Sequence, residues 1–393
     1  MKAKLVRITT VPVSMNIILK GQLTFMNQYF NVIGVTGYDK KHFNEVAKRE
    51  GIRMIPVEMS RPINPVKDIS ALWKLYKILR AEKPEIVHTH TPKAGLLGML
   101  AAFFAGVPVR LHTVGGLPLM EVKGAKRVLL NWVEKLTYAC AHRVYPNSLG
   151  LKEFIEQQKF CSPSKLKVIA NGGTNGINSD FFKPDYRADP ASSRESLRLK
   201  LGIAENELVF CLVGRLAREK GIGELVEAFV DLQQKYLIKL VLVGPVERLY
   251  GMLSDELQKA LNNNSNILLP GRFDDVRPYY GISDIYVFPS YREGFPNSVL
   301  EAGAMGLPVI ATDINGCNEI IEHNINGLLI QPKSVSQLKK AMQQMLDEPE
   351  LRKQLAANAR PRVLEKFRRE VIWQALEEEY EHQLKLRLHR PNA

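Results

Sequence analysis

Short apolar runs alternate with longer helical stretches along residues 4–172 of the chain. Alternation of this kind predicts parallel strands joined by crossover helices. The predicted strands are Leu5–Thr9, Asn31–Val35, Arg53–Val57, Ile86–His90, Val109–Thr113, Arg143–Pro146 and Leu166–Ile169. The predicted helices lie near 40–50, 66–82, 93–105, 124–141 and 149–158. This half of the chain is therefore expected to fold around one parallel sheet.

A second set of strands begins after Lys183–Ser193, a segment rich in Pro, Asp and Ser that we interpret as an interdomain linker. These predicted strands are Leu208–Gly214, Lys239–Gly244, Asn266–Pro270, Ile285–Phe288, Pro308–Ala311 and Gly327–Ile330. A helix is predicted at 221–236, and the charged stretch 334–388 is predicted to be helical. The pattern thus predicts two doubly wound α/β domains, residues 1–184 and 185–371, with a cleft at the carboxyl ends of the strands.

Size and composition agree with a soluble protein of two domains, because the chain has 393 residues, of which 45% are hydrophobic and 24% charged. No run approaches the roughly 20 apolar residues that a membrane-spanning helix needs. Charges interrupt the first residues, which do not resemble a signal peptide. The four cysteines are scattered without a C-x-x-C pair, which favours reduced thiols in the cytoplasm over disulfides or a metal site.

The positive charge is concentrated in the first domain. Residues 1–170 contain 26 Lys and Arg against 11 Asp and Glu, a net charge of +15, whereas the whole chain carries +13. This asymmetry favours an anionic partner: a membrane surface, a lipid-linked phosphate or nucleic acid. A merely solvated basic surface is the alternative. Residues 123–143 mix lysines with apolar side chains and could lie on a membrane, although a half-buried helix is the more frequent outcome for such a pattern.

Two carboxylates bracket a strand-to-helix turn in the second domain. Glu293 follows the predicted strand that ends near Phe288, and Glu301 lies eight positions further on in a short predicted helix. The start of a helix directs N–H groups and a positive dipole end at a bound anion, and carboxylates accept hydrogen bonds from hydroxyl pairs. The turn therefore suits a phosphorylated, polyhydroxylated ligand. The alternative is that Ser298 and Glu301 form an S-x-x-E capping box.

Two further loops of the second domain carry basic residues. Arg215 and Lys220 follow the strand that ends at Gly214, and a guanidinium with an ammonium suits a diphosphate. A surface charge cluster is the alternative. The loop that contains Arg272 precedes another helix, with Asp274 or Asp275 as its expected N-cap, and could bind a base through backbone groups.

The first domain offers weaker candidates. His112 is expected at a strand end beside two glycines, although a core histidine is the alternative interpretation. His88 and His90 share one face of a strand, but no further residue completes a metal-ligand spacing. Lys20, Gly21 and Gln22 follow the first strand without the G-x-G-x-x-G spacing of a dinucleotide site. The sequence contains neither a Walker loop nor an Asp-x-Asp pair, which disfavours a metal-bound diphosphate of that type.

Taken together, the second-domain motifs resemble those of the family 4 glycosyltransferases. The resemblance is strong over residues 200–330 or so. The first half of the chain resembles the bacterial capsule, O-antigen and protein-glycosylation members of the family, and this part of the resemblance is less specific. The motifs that carry it are Gly214-Arg215-Leu216, Glu219-Lys220-Gly221, Pro270-Gly271-Arg272, Glu293 to Ser298 with Glu301-Ala302, and Gly306 to Val309. It implies a GT-B fold, an acceptor-binding domain at 1–184, a donor-binding domain at 185–371, and a helix at about 372–393 that packs back on the first domain.

The resemblance also implies roles for individual residues. Arg215 and Lys220 would hold the donor diphosphate, Glu293 the donor-sugar hydroxyls and Glu301 the ribose hydroxyls. His112 would approach the donor sugar from the other domain. With Glu293, Arg215 and Lys220, His112 makes up the predicted catalytic set. The remaining implied donor contacts are Gly21, Arg272, Gly294, Phe295, Pro296, Asn297, Ser298 and Val299.

Two positions depart from the family pattern. A single glycine, Gly21, stands where the family has a pair, and Asn178 stands where Asp is common. The change at Gly21 affects the predicted acceptor and phosphate contacts. The change at Asn178 affects the capping of a turn.

The implied reaction is a retaining sugar transfer with no essential metal and no cofactor beyond the nucleotide-sugar donor. The first domain offers no carboxylate that we can assign as a nucleophile, so same-face attack is the expected mechanism. The implied donor is a UDP-sugar, with an N-acetylhexosamine as the sugar. The acceptor is an undecaprenyl-diphosphate-linked glycan at the inner face of the plasma membrane, and no nucleic acid partner is expected. The alternatives are a GT-B epimerase or phosphorylase, or a non-catalytic protein that binds sugar nucleotides or nucleic acid.

Overall fold

A computed structural model describes residues 2–60, 62, 64–117, 119, 122–185, 193–247 and 252–388. The chain divides into unit 1, residues 1–176 with 369–393, and unit 2, residues 177–368. Most of the predicted linker, residues 186–192, lies outside the described part.

The division between the units falls earlier than the predicted boundary at 184/185. Residues 177–184 belong to unit 2 because they are hydrogen-bonded there. Arg360 donates to the carbonyl oxygens of Ser179 (3.0 Å) and Phe182 (2.6 Å), and the Arg277 guanidinium lies 3.5 Å from the centre of the Phe181 ring. The second crossing, between Arg368 and Arg369, coincides with a break between two helices.

Unit 1 contains a six-stranded parallel sheet in the order β3-β2-β1-β4-β5-β6. Its strands are β1 (Lys4–Ile8), β2 (Asn31–Thr36), β3 (Arg53–Pro56), β4 (Ile86–His90), β5 (Val109–Val114) and β6 (Arg143–Pro146). Its helices are α1 (Pro12–Ile18), α2 (Gln22–Met26), α3 (Lys40–Glu50), α4 (Pro65–Glu82), α5 (Pro92–Phe104), α6 (Gly124–Cys140), α7 (Leu149–Gln157) and, from the end of the chain, α16 (Arg369–Leu388). The central strands are almost wholly buried, as expected for a parallel sheet covered on both faces.

Unit 2 repeats this topology in a second six-stranded parallel sheet, ordered β12-β11-β10-β7-β8-β9. Its strands are β7 (Leu208–Val213), β8 (Ile238–Val243), β9 (Ile267–Gly271), β10 (Ile285–Phe288), β11 (Val309–Thr312) and β12 (Gly327–Ile330). Its helices are α8 (Arg194–Lys200), α9 (Ile222–Leu232), α10 (Asp255–Asn263), α11 (Arg277–Ile282), α12 (Asn297–Ala304), α13 (Cys317–Ile320), α14 (Val335–Asp347) and α15 (Pro349–Phe367). Both sheets therefore have the doubly wound strand order of dinucleotide-binding folds.

One predicted strand is wrong. Residues 166–169 form no strand of the sheet, since Leu166 makes only an isolated bridge to Val144. A 3-10 turn at Pro163–Lys165 precedes this segment, and Ala170 has a positive φ of 47°. These turns on either side leave too little extended backbone for a seventh strand.

The strand order determines where a ligand site can form. In each sheet the order reverses beside the first strand, between β1 and β4 in unit 1 and between β7 and β10 in unit 2. Loops leave the carboxyl ends of these two strands towards opposite faces of the sheet, which opens a crevice. In unit 2 the loop that follows β7 carries Arg215 and Lys220, and the loop that follows β10 carries Glu293.

The four cysteines are free thiols, and only Cys161 is partly exposed. Among the described helices, none combines the length and the apolar character that a bilayer-crossing segment requires.

Candidate functional site

An ion pair between Lys220 and Glu293 lies at the switch point of unit 2. Lys220 ends a 3-10 turn in the loop after β7, and Glu293 lies in the loop after β10. The Lys220 ammonium contacts Glu293 Oε1, to which the Ser290 hydroxyl also donates (2.8 Å). The Phe288 ring centre lies 5.3 Å from the ammonium. Each charged side chain is 16% exposed, so both groups are held in place yet remain accessible to a ligand.

Gly221 allows the two loops to approach each other. Its φ of +69° is in the left-handed region, and a Cβ there would clash with the carbonyl oxygen of Pro289. The Tyr291 N–H donates to the Glu219 carbonyl (2.8 Å) and joins the loops. The position of Lys220 therefore depends on a glycine at the next residue.

Arg215 lies at the outer side of this loop and is half exposed. Its guanidinium is paired with Glu247 (2.5 Å) and Glu219 (3.0 Å). Arg272 is exposed in the loop that follows β9. Arg215 would have to exchange these carboxylate partners for phosphate oxygens if it bound a diphosphate, and its predicted role stays a prediction.

The predicted capping box at the start of α12 is wrong. The helix begins at Asn297 with Pro296 as N-cap, so Ser298 is its second residue and cannot cap it. Glu301 instead accepts a hydrogen bond from the Tyr280 hydroxyl (2.9 Å). Burial raises the pKa of the Glu301 carboxyl to about 7, against the opposing effect of that hydrogen bond.

The predicted cap of α11 is displaced in a similar way. Val276 is the N-cap, while the Asp275 carboxylate accepts from the Arg277 N–H at 3.0 Å.

The predicted donor contacts along 294–299 divide into buried and accessible groups. Phe295, Pro296 and Val299 have buried side chains, and the Phe295 ring packs 5.4 Å from that of Phe367. Asn297 is exposed. Because the first N–H groups of a helix have no intrahelical partner, this segment can offer a ligand its backbone donors and the Asn297 side chain.

The sequence predicted His112 at the end of a strand. In the structure β5 continues past it to Val114. Its ring is 3% exposed and hydrogen-bonds the Thr89 hydroxyl at 2.8 Å. A Cβ on Gly95 of α5 would lie 2.5 Å from the ring, so the helix packs directly on it. Burial lowers the pKa of His112 to about 4. This packing disfavours contact with a donor sugar, and the predicted catalytic role of His112 stays a prediction.

Gly21 lies at the N-terminus of α2 with a φ of +79°. Its N–H donates to the buried Glu50 carboxylate (2.9 Å), and the Trp373 ring of α16 packs against it. The only N–H of Gly21 is thus engaged within unit 1, and its predicted contact with donor phosphates stays a prediction.

Unit 1 contains a buried polar network that was not predicted from the sequence. Arg7, fully buried in β1, donates to Gln22 Oε1 (2.7 Å) and to His90 Nε2 (2.8 Å from Nη2). Because a guanidinium can only donate, Nε2 of the neutral His90 ring is the acceptor and Nδ1 carries the proton. A charged residue inside the apolar run Leu5–Ile8 was the available signal for this network.

His90 also lines a small pocket at the carboxyl ends of β4 to β6, together with Thr113, Asn147 and Thr174. Within the described part of the chain, His90 Nδ1 and Asn147 Oδ1 are buried without a hydrogen-bond partner. His90 Nδ1 donates and Asn147 Oδ1 accepts, so these two pocket-lining residues together have the donor and the acceptor that a hydroxyl group requires.

No group of three or more His, Cys, Asp and Glu among the described residues could hold a metal ion. Metal independence of the reaction stays a prediction.

Comparison with known proteins shows that both halves of the chain match glycosyl transferase families. Residues 193–362 match the family model of glycosyl transferases group 1, and residues 31–172 match the glycosyl transferase 4-like domain. The chain is 31% identical to the capsular polysaccharide biosynthesis glycosyltransferase CapM of Staphylococcus aureus, over 97% of this chain and 98% of that protein. It is 32% identical to the UDP-Gal:alpha-D-GlcNAc-diphosphoundecaprenol alpha-1,3-galactosyltransferase of Escherichia coli, over 79% of this chain and 78% of that protein.

The fold is shared with solved structures at lower identity. The Anabaena protein Alr3699/HepE, crystallised with UDP, is 19% identical and has a TM-score of 0.79 over 97% of this chain and all of its own. The predicted fold class, two doubly wound parallel-sheet domains of the GT-B type, is confirmed.

Proposed function

Because this chain belongs to the group 1 glycosyltransferases, we propose that it moves a sugar from a UDP-sugar to a lipid-linked glycan in surface polysaccharide biosynthesis. The observation that carries the proposal is the Lys220–Glu293 pair beside the first turn of α12. The Escherichia coli relative supports the donor and acceptor classes, since its name specifies UDP-Gal and a diphosphoundecaprenol-linked acceptor. An N-acetylhexosamine is our proposal for the transferred sugar.

The charge pattern of the switch point suits such a donor. Lys220 and the N–H groups at the start of α12 would bind the diphosphate, which is negative and rich in acceptor oxygens. Glu293, adjacent to Lys220, would accept hydrogen bonds from sugar hydroxyls, and Glu301 would accept them from the ribose. A cation and a carboxylate in contact thus match a ligand in which phosphate and hydroxyls are adjacent.

The proposed reaction is a retaining transfer by same-face attack, without an essential metal. The acceptor hydroxyl oxygen forms a bond to the anomeric carbon while the bond from that carbon to the diphosphate oxygen breaks. The leaving phosphate oxygen takes the acceptor proton. Lys220, together with Arg215, would stabilise the negative charge that develops on the leaving group. A covalent glycosyl-enzyme adduct detected by mass spectrometry would contradict this mechanism.

The site assignment is tested with Lys220→Ala and Glu293→Ala. We expect each to lower transfer at least 100-fold, because each removes a group that binds the donor next to the reacting bond. Loss of one partner of this mostly buried pair should cost only about 1–2 kcal/mol of folding free energy. UDP release is measured with a series of undecaprenyl-diphosphate glycans, with and without EDTA, alongside thermal unfolding.

The matched control is Lys339→Ala, which breaks the exposed ion pair with Asp231 (2.8 Å) elsewhere in unit 2. It should retain normal turnover. Near-normal turnover in both site variants would refute the assignment, and loss of activity with EDTA would refute metal independence.

A further inference from the structure

Helix α6 packs Tyr138 and Cys140 in the core of unit 1, yet it also buries polar residues and exposes a row of apolar ones. Glu134 is 6% exposed and Thr137 is buried, whereas Trp132 is 68% exposed. Three further apolar residues on the outer side are also exposed: Val128, Leu129 and Leu136. Their spacing places them in one stripe along the helix. A helix that only covered a sheet would carry polar residues along this outer stripe.

The buried face of α6 makes this orientation costly. Glu134 lies in the interior, where burial raises its pKa to about 7. The exposed Trp132 and Leu129 add to this cost, because transfer of apolar surface out of water is favourable. A contiguous exposed apolar stripe is typical of a surface that contacts another molecule or a membrane.

Helix α4 has a second exposed apolar stripe, formed by Val66, Ile69 and Trp73. α4 and α6 both pack against α5, so they flank it within one helical layer of unit 1. We call the exposed sides of these two helices the α4–α6 face. Two tryptophans stand on this face, and Trp is the residue type that prefers the boundary between hydrocarbon and water.

Lysines surround both stripes. The exposed basic residues are Lys123, Lys126 and Lys135 next to or on α6, and Lys67, Lys74, Lys77 and Arg80 on α4. The few carboxylates of these two helices do not offset this charge. Glu134 is buried, Asp68 pairs with Lys93, and Glu82 pairs with Lys4 and Arg53.

We propose that the α4–α6 face docks on a bilayer with anionic headgroups, with Trp73 and Trp132 at the interface and the lysines against the lipid phosphates. Apolar stripes with basic flanks are complementary to such a surface. A second copy of the chain fits less well, since a two-fold contact would place one lysine-rich face against another. The proposal rests on the proposed function in one respect: a lipid-linked acceptor lies at the membrane.

The experiment is flotation of the full chain with phosphatidylglycerol-containing vesicles and with pure phosphatidylcholine vesicles, at low and high salt. We expect binding to the anionic vesicles only, and a fall of at least tenfold in the bound fraction at high salt. The double variant Leu129→Ser/Trp132→Ser and the triple variant Lys123→Glu/Lys126→Glu/Lys135→Glu should each lower binding at least tenfold. Circular dichroism verifies that these surface variants fold.

Matched controls come from unit 2, where Leu199→Ser removes an 82%-exposed apolar side chain and Lys340→Glu reverses an exposed charge. Both should bind as the parent does. Absence of flotation, equal binding to neutral vesicles, or full binding by the α6 variants would overturn the proposal. A dimer in light scattering that Trp132→Ser dissociates would assign the face to a second copy instead. Vesicle binding needs neither donor nor acceptor, so its outcome is independent of any failure to detect transfer.

Discussion

At the scale of single residues, the site is defined by charges that restrain one another. Lys220 and Glu293 hold each other in place, with Ser290 as a second donor to the carboxylate. Both charged residues are predictable from the sequence, because each lies in a loop after a predicted strand. The contacts of Ser290 and of the Phe288 ring are not, since short-range patterns do not reveal which side chains from adjacent loops meet.

Glu301 provides a prediction about pH. Its pKa is raised from the ordinary value of 4.5 to about 7 in the folded protein, so the folded state binds more protons than the unfolded chain between these values. Its contribution to stability is therefore favourable at low pH and is lost as the pH rises from about 4.5 to 7. Glu301→Gln should stabilise the protein relative to the parent at pH 8, by about 1–3 kcal/mol, and much less at pH 5. Urea unfolding at both pH values measures the difference, and a pH-independent difference would contradict the prediction.

At the scale of elements, the periodic pattern located strands and helices well and their ends less well. β10 and α9 begin within a residue of their predicted starts, but α9 ends at Leu232 rather than 236. The capping box failed because α12 begins two residues earlier than the Ser298 cap would require. A helix cap depends on the geometry of a single turn, and several neighbouring polar residues can compete to hydrogen-bond the free N–H groups of that turn.

Gly221, the loop glycine that precedes α9, is expected to contribute to the stability of unit 2. Gly221→Ala should destabilise unit 2 by about 2–3 kcal/mol, because it adds a clash with Pro289 to the cost of a positive φ. Gly202→Ala is the matched control: its φ is +66° with nothing within 4 Å of the added Cβ, so only about 1 kcal/mol is expected. Urea unfolding and UDP titration measure both variants. Gly221→Ala should also weaken UDP binding, and equal effects of the two variants would refute the role of the close approach.

At the scale of the whole molecule, the two units differ in their titratable interiors. Unit 1 buries three histidines, His88, His90 and His112, whose pKa values burial lowers. Burial also raises the pKa of Glu134 in unit 1 and of Glu301 in unit 2, each to about 7. For each histidine the unfolded chain binds more protons below its pKa of about 6.5. The histidine contribution to the stability of unit 1 therefore falls as the pH drops below 6.5. The contributions of Glu134 and Glu301 change in the opposite direction, but in unit 1 the three histidines outweigh the single Glu134.

This contrast is measurable because all three tryptophans, Trp73, Trp132 and Trp373, belong to unit 1. Tryptophan fluorescence thus reports on unit 1, with buried Trp373 as the main probe, while circular dichroism reports on both units. Each buried histidine should cost about 1.4 kcal/mol per pH unit below 6.5 until its folded pKa is reached. We expect the fluorescence-detected thermal midpoint to fall between pH 7 and 5 more than the dichroism midpoint does. Equal shifts of the two midpoints would contradict the prediction.

The sequence alone is enough to predict the two parallel α/β sheets and the loops that carry the charged residues of unit 2. These properties are local, since hydrophobic periodicity and loop composition depend on residues close together in the chain. The folded domains, by contrast, bring Lys220 to Glu293 across 73 positions, place His112 under α5, pair Arg7 with His90, and leave an apolar stripe of α6 exposed. Strand order and helix rotation fix these contacts, and both result from packing of the whole domain, which no short segment of sequence encodes.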